Sequence, residues 1–308
     1  MGSTSFWQAE ADATAYPSLS GRVTADVAII GAGITGTALA LCLARAGLRP
    51  AVVEARAVAS GASGRNGGFL LGGTSEAYAA ARERYGIEMA RRIWAFSVAN
   101  HETLAGLIEE MHAGGWQTGY ARTGSLRIAS SEAEMAEIRE SARLLAADGW
   151  AAEVLERESL PAPLRSTYLG ASLHPGDGEV QPVRMVQGLA RLAAASGARI
   201  YERSAAHAVA MGHDGVTVTT DGGAISAGSL VWATNAWLAD DSLRTGFPWL
   251  AAAIHPTRGQ MLATAPVTDR LFEMPCYANY GYQYWRQLPD GRLVVGGWRN
   301  LVPEVEIG

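Results

Sequence analysis

The segment Asp26-Val-Ala-Ile-Ile-Gly-Ala-Gly-Ile-Thr-Gly-Thr-Ala-Leu-Ala-Leu-Cys-Leu-Ala-Arg-Ala-Gly47, followed by Ala51-Val-Val-Glu54, constrains this chain more than any other feature. The apolar run 27–30 reads as a buried strand, the glycines as a turn, 34–46 as a helix ended at Gly47, and 51–54 as a second strand closing on an acid. That is one βαβ unit. Gly31 lets the chain leave the strand sharply, Gly33 lets the backbone approach a pyrophosphate, and Gly36 lets the helix pack closely on the sheet. The helix N-terminus presents unpaired N–H groups and the positive end of its dipole to phosphates. Glu54 follows Gly31 by 23 residues, where an acid accepts hydrogen bonds from ribose hydroxyls. A glycine triplet alone is a weak signal, but strand, helix and acid at the right spacing specify a dinucleotide site. The motif serves nicotinamide and flavin dinucleotides alike.

A second glycine-rich stretch separates the two. Ala59-Ser-Gly-Ala-Ser-Gly-Arg-Asn-Gly-Gly-Phe69 begins five residues past Glu54 and holds four glycines and two serines. Small residues let backbone N–H groups reach phosphate and flavin oxygens, and a nicotinamide dehydrogenase has no evident use for such a loop there. Ser63-Gly-Arg-Asn-Gly-Gly68 resembles the pyrophosphate- and flavin-contacting loop of FAD-dependent oxidoreductases of the D-amino acid oxidase family, in its gamma-glutamylputrescine oxidoreductase-like branch. The resemblance runs from Phe6-Trp7 to Gly297. It implies FAD as the cofactor, held by Gly31, Gly33, Ile34, Thr35 and Gly36 at the first turn and by Glu54 and Ala55 after the second strand. It carries the same role to Ser60, Ser63, Gly64, Arg65, Asn66, Gly67 and Gly68, to the backbone at Ala206, where the family usually has valine, and to the Ala233-Thr-Asn-Ala236 turn through Ala233 and Thr234.

The implied fold is α/β: a Rossmann-like FAD-binding domain interleaved with a mixed-sheet α+β substrate domain. A chain of 308 residues exceeds the roughly 250–300 residues at which one core stops growing. We expect an FAD-binding domain over 1–80 and 175–240 and a substrate domain over 81–174 and 241–308. Helical spacing runs over 76–111, 123–129 reads as a strand, and Ser131 with Glu134 reads as a capping box opening a helix to about Asp148. Helix 183–196 and strands 198–202, 215–220 and 229–237 return the chain to the FAD domain. Family members continue past the position of Gly308 with a helix, a strand and a final helix, so by resemblance the chain reads as C-terminally truncated.

The expected chemistry is oxidation of the C–N bond of an amine or amino acid, with hydride passing to the flavin and oxygen reoxidising it. Tyr282, Tyr284 and Arg286 alternate along a predicted strand and so share a sheet face, the candidate substrate wall. Arg286 or Arg258 is expected to pair with a substrate carboxylate, and Tyr282 or Tyr284 to position the amine. The alternative is a catalytically silent dinucleotide-binding remnant. A net charge of -5 with no Lys/Arg run argues against nucleic acid as a partner. Cys42 and Cys276 form no C-x-x-C pair and are expected to be reduced, buried or half-buried thiols, and no metal site is expected. His101 and His112 stand without ligand-type neighbours and are assigned no role. The uncharged run 27–44 is better read as strand, turn and helix than as a membrane span, and 1–20 lacks a basic flank before an apolar core, so a cytoplasmic enzyme is expected.

Overall fold

The computed structural model of the chain describes residues 4–74, 76–239, 253–254, 256–257 and 259–301. Its first sheet has six strands in the order β8-β2-β1-β11-β10-β9. These are β1 (Gly21–Ile30), β2 (Pro50–Val53), β8 (Arg199–Tyr201), β9 (Ala206–Gly212), β10 (Gly215–Thr220) and β11 (Gly223–Trp232). The four from β8 to β11 run parallel, and β10 and β9 add an antiparallel hairpin at one edge. β1 starts at Gly21, earlier than its apolar run, because β11 pairs with it along its whole length from Gly223 to Trp232.

Helices α2 (Ile34–Arg45) and α6 (Pro182–Ala195) cover one face of this sheet. Ile29, Val52 and Ile200 meet Ala40, Leu41, Val186 and Leu189 in a continuous core there. The opposite face buries Ala28, Ile30, Val53, Val218 and Ile225. Strands buried on both faces explain why 27–30 reads as an unbroken apolar run rather than an alternating one.

The second sheet has seven strands in the order β12-β15-β14-β13-β4-β6-β5. They are β4 (Ser125–Ala129), β5 (Glu153–Glu156), β6 (Gly170–His174), β12 (Met261–Ala263), β13 (Cys276–Ala278), β14 (Gln283–Gln287) and β15 (Leu293–Gly297). Only β13 and β4 pair in parallel, so the sheet is mixed. Leu126, Ile128, Ala171, Cys276 and Trp285 pack on its one face, and α3 (Tyr78–Tyr85), α4 (Ile87–Ala113) and α5 (Glu132–Ala147) complete this half. The short pair β3 (Phe69–Leu70) and β7 (Gly178–Glu179) links the two halves. This is the expected Rossmann-like α/β architecture joined to a mixed-sheet α+β part.

The helical spacing over 76–111 becomes two helices because Gly86, with φ 81°, takes a conformation that breaks the run. At Ser131 the hydroxyl accepts the Glu134 N–H at 3.2 Å, as the capping signal implied, while the Glu134 carboxylate reaches back to the Ser130 N–H at 2.7 Å. Cys42 departs from expectation. Both thiols are free, but Cys42 is exposed on the outer side of α2 and only Cys276 is buried. Among the described residues no helix is long and apolar enough to cross a membrane, and no cluster of His, Cys, Asp or Glu is arranged to hold a metal ion.

Candidate active site

The turn between β1 and α2 is built from tight backbone contacts. A Cβ on Gly31 would lie 2.6 Å from the Ala233 carbonyl oxygen, and its φ of 107° suits glycine alone. A Cβ on Gly36 would overlap the Gly31 carbonyl oxygen, so α2 can approach the sheet only with glycine there. Ala233 donates its N–H to Ile30 O at 2.9 Å, which brings the 233–236 turn to the mouth of the glycine turn. The Thr234 hydroxyl is buried and has no hydrogen-bond partner. Ile34 and Thr35 stand exposed at the N-terminus of α2.

Glu54 closes β2 at the same edge. Its carboxylate accepts the Ala32 N–H at 2.9 Å and the Arg56 N–H at 3.0 Å, leaving one lone pair on each oxygen for a further donor. Ala55 beside it is exposed. Ser204 donates its N–H to Glu54 O at 2.8 Å, and Ala206 follows at the start of β9, across a bulge from Thr220.

The second glycine-rich loop folds onto the first. Ser63 Oγ accepts the Ile34 N–H at 2.9 Å and sits against Gly33, where a Cβ would lie 2.9 Å away. Within the loop Asn66 acts as an internal brace: its amide donates to Ala62 O and Ser63 O and accepts from Gly68 N. Ser60 bonds Ala57, and Arg65 donates from Nε to Ser60 O at 3.1 Å. Burial, reinforced by the neighbouring Arg56, lowers the Arg65 pKa.

The loop's outer side is held by residues to which sequence reasoning assigned no role. In α1 (Phe6–Ala9) and its cap, Ser5 Oγ donates to Gly64 O at 2.6 Å, Trp7 Nε1 to Asn66 O at 2.7 Å, and Gln8 Nε2 to Ser60 O at 3.0 Å. Glu202 is buried and accepts the Val58 N–H at 2.8 Å and the Thr14 hydroxyl. Phe6-Trp7 lay inside the family resemblance, but a short polar turn carries no periodic signal that could have marked it.

On the second sheet, Tyr284 and Arg286 share one face of β14, as alternation requires, and they meet different surroundings. Tyr284 packs edge-on against Phe69 with ring centroids 6.1 Å apart, lies 3.5 Å from a Cβ placed on Gly67, and fills the space a Gly296 side chain would take. Burial raises its pKa, so the phenol stays protonated. Tyr282 precedes the strand and is exposed, with Arg299 stacked 5.9 Å from its ring. Arg286 is 2% exposed and presents its guanidinium to no open face. Nη1 donates to Gly68 O at 3.2 Å and Nη2 to Val180 O at 2.8 Å, Glu179 lies 3.6 Å away, and Trp7 stacks 4.8 Å from the guanidinium carbon. Burial pulls its pKa down to about 10. Arg258 lies outside the described residues. His101 pairs with the Tyr120 hydroxyl at 3.1 Å and His112 with the Thr118 hydroxyl at 3.0 Å, which accounts for both within the packing.

Residues 26–305 match the family described as DAO, FAD dependent oxidoreductase. The chain belongs to that family. Its members are FAD-dependent, and the turn around Gly31, Gly33 and Gly36, the open lone pairs of Glu54 and the unpartnered Thr234 hydroxyl fit that cofactor. Among similar proteins, gamma-glutamylputrescine oxidoreductase of Escherichia coli is 29% identical across 96% of this chain and 69% of that protein. Glycine oxidase of Geobacillus kaustophilus is 27% identical across 88% of this chain and 69% of that protein. The crystal structure of the Geobacillus kaustophilus glycine oxidase superposes with a TM-score of 0.73 at 22% identity, covering 89% of this chain and 70% of that one. L-proline dehydrogenase from P. horikoshii gives 0.70 at 21% identity, covering 91% and 71%. The two solved structures show the shared fold. The chain spans 66 to 69% of the length of the first curated relatives it matches.

Proposed function

We propose that this protein is a cytoplasmic flavin-dependent oxidoreductase that oxidises the C–N bond of a small amine or amino acid. The observation that carries this reading is the meeting of three backbones at one point: the Gly31 turn, the Ser63 segment at the Ile34 N–H, and the Ala233-Thr234 turn. Gly31, Gly33, Ile34 and Ser63 would hold the pyrophosphate at the positive end of α2, and Glu54 the ribose. Thr234 would hydrogen-bond the dinucleotide, and Gly67 and Gly68 would face the flavin. Bound FAD would supply the acceptor for a hydride from the carbon next to nitrogen, with oxygen as the terminal acceptor yielding peroxide.

The chain's own residues supply binding and orientation. Tyr284, protonated and pressed between Gly67 and Gly296, donates a hydrogen bond that positions the substrate and keeps water from the face it covers. Tyr282, exposed just before β14, would meet a substrate only at the strand's entry. Relatives named gamma-glutamylputrescine oxidoreductase and glycine oxidase support an amine or amino acid as the substrate class. Residues 1–80 with 175–240 form the cofactor part and 81–174 with 241–308 the substrate part. The two free thiols agree with a reducing compartment.

The test is the visible spectrum of the purified chain after desalting with added FAD, followed by an aerobic screen of amines and amino acids for peroxide. Paired bands of bound oxidised flavin and amine-dependent peroxide support the reading. A chain that retains no flavin, or retains it and yields no peroxide with any amine, refutes it in favour of a silent remnant.

A further inference from the structure

We propose that Trp7 and Arg286 are positioning residues for the cofactor, acting together as a clamp on the loop 59–68; this rests on the FAD-binding reading above. The argument starts from the planarity of the peptide bond. In a trans peptide the C=O of one residue and the N–H of the next point in opposite directions. Whatever captures a carbonyl on one side of a loop therefore turns the following N–H toward the other side.

Along this loop the N-terminal turn captures carbonyls in series. Gln8 takes Ser60 O and Trp7 takes Asn66 O, so the N–H groups of Gly61 and Gly67 are turned away from the turn. Neither N–H has a protein partner among the described residues. Glycine at both positions adds no side chain beside these N–H groups; a Cβ would come 3.1 Å from the Trp237 ring at Gly61 and 3.3 Å from the Phe69 ring at Gly67. The orientation is thus set from behind, by side chains that do not face the cofactor.

Arg286 secures the far end of the same segment. Its two Nη groups hold Gly68 O and Val180 O, and Val180 N–H donates to Gly68 O as well, at 2.8 Å. Gly68 sits at φ 69°, and a Cβ there would come 3.2 Å from Arg286 Nη2, so the carbonyl is aimed at the guanidinium by a backbone conformation that favours glycine. Trp7 lies against the guanidinium while its Nε1–H holds Asn66 O, so one indole connects both ends of the clamp. Arg286 stands on β14 two residues from Tyr284. The clamp therefore fixes the flavin-facing glycines relative to the strand that carries the substrate wall. A forked, planar guanidinium spans two carbonyls at once, which a lysine ammonium on a flexible stem does not reproduce.

The experiment titrates FAD into the wild-type chain, Trp7→Phe and Arg286→Lys, following the visible bands, and measures thermal unfolding of each without FAD. Trp7→Phe keeps an aromatic ring beside the guanidinium and removes the Nε1–H donor together with the rest of the pyrrole ring. Its dissociation constant for FAD is expected to rise about 5- to 10-fold, beyond what its smaller loss of cofactor-free stability accounts for. Arg286→Lys is expected to weaken FAD by about 10-fold or more and to alter the fine structure of the bound-flavin bands. Wild-type affinity for FAD in both variants overturns the proposal. So does a loss of affinity in Trp7→Phe accompanied by an equal loss of cofactor-free stability, since that marks a purely structural role. A wild-type chain that binds no FAD removes the reading beneath the proposal, a result distinguishable from either.

Discussion

Gly36 of the β1–α2 turn and Gly296 of the β14–β15 hairpin each lie where an added Cβ would collide with a neighbour, and the neighbours differ in kind. At Gly36 an added Cβ meets the backbone oxygen of Gly31 and the side chain of Ile29, which is fully buried. At Gly296 its nearest neighbours are atoms of the Tyr284 ring, a side chain rather than backbone. A close-packed backbone cannot yield without moving a strand, whereas a side chain yields by changing rotamer. The first region therefore couples the cofactor site to the stability of the fold. The second would couple the proposed substrate wall to the fold much more weakly.

The largest effect that tests this contrast is Gly36→Val. We expect it to cost about 3 kcal/mol or more through overpacking and to abolish FAD retention, read together by thermal unfolding and by the visible bands after desalting. Retained flavin with an unchanged melting temperature would break the comparison. Gly296→Ala should do the opposite, keeping flavin and melting temperature while displacing Tyr284. Amine-dependent peroxide formation is expected to fall about 100-fold, the scale of an ångström of misplacement. Tyr284→Phe sharpens the same point: removing one hydroxyl while leaving the ring should lower kcat/KM about 10-fold and leave FAD affinity intact, as steady-state kinetics and titration would show.

A smaller effect separates the halves by pH. Desolvation beside a small polar cavity lined by Arg127, Tyr277 and Glu76 pushes the His174 imidazole down from 6.5 to about 4, with Arg127 adding to the shift. The unfolded chain then binds more protons than the folded one between these values, so stability falls as pH drops from 6.5 toward 4. Melting curves of wild type and His174→Gln should diverge over that window and run parallel above it; parallel curves throughout would mean the imidazole is solvated. The smallest perturbation uses the two thiols. Exposed Cys42 in the first region should alkylate in the native protein, while Cys276, whose thiol burial pushes up to about 12, should react only after unfolding, as peptide mass mapping would reveal.

Much of the cofactor half was legible before any coordinates because its signals are local. The strand 27–30, the three glycines, the helix and Glu54 lie within one supersecondary unit, where spacing alone sets which atoms converge. The second loop was legible for a related reason, since its composition made sense only behind such a turn. The substrate wall was less legible. Alternation correctly placed Tyr284 and Arg286 on one face of β14, but periodicity says nothing about what stands opposite. A buried arginine bonded to two carbonyls and an arginine open to a substrate have the same sequence signature. Tyr282 illustrates the related limit at a strand end, where the preceding turn at 279–281 takes it out of the alternation.

Local chemistry thus determined the dinucleotide turn and the capping of α5, because each depends on residues a few positions apart, while FAD and the interleaved α/β architecture followed from the family resemblance carried by the second glycine-rich loop. Tertiary structure alone decided that Ser5, Trp7 and Gln8 lie behind the cofactor loop, that Glu202 is a buried brace, and that Arg286 holds Gly68 and Val180. Those contacts join residues 51 to 218 positions apart, and hydrogen-bond geometry at such separations is fixed only when the sheets pack and bring the partners within reach.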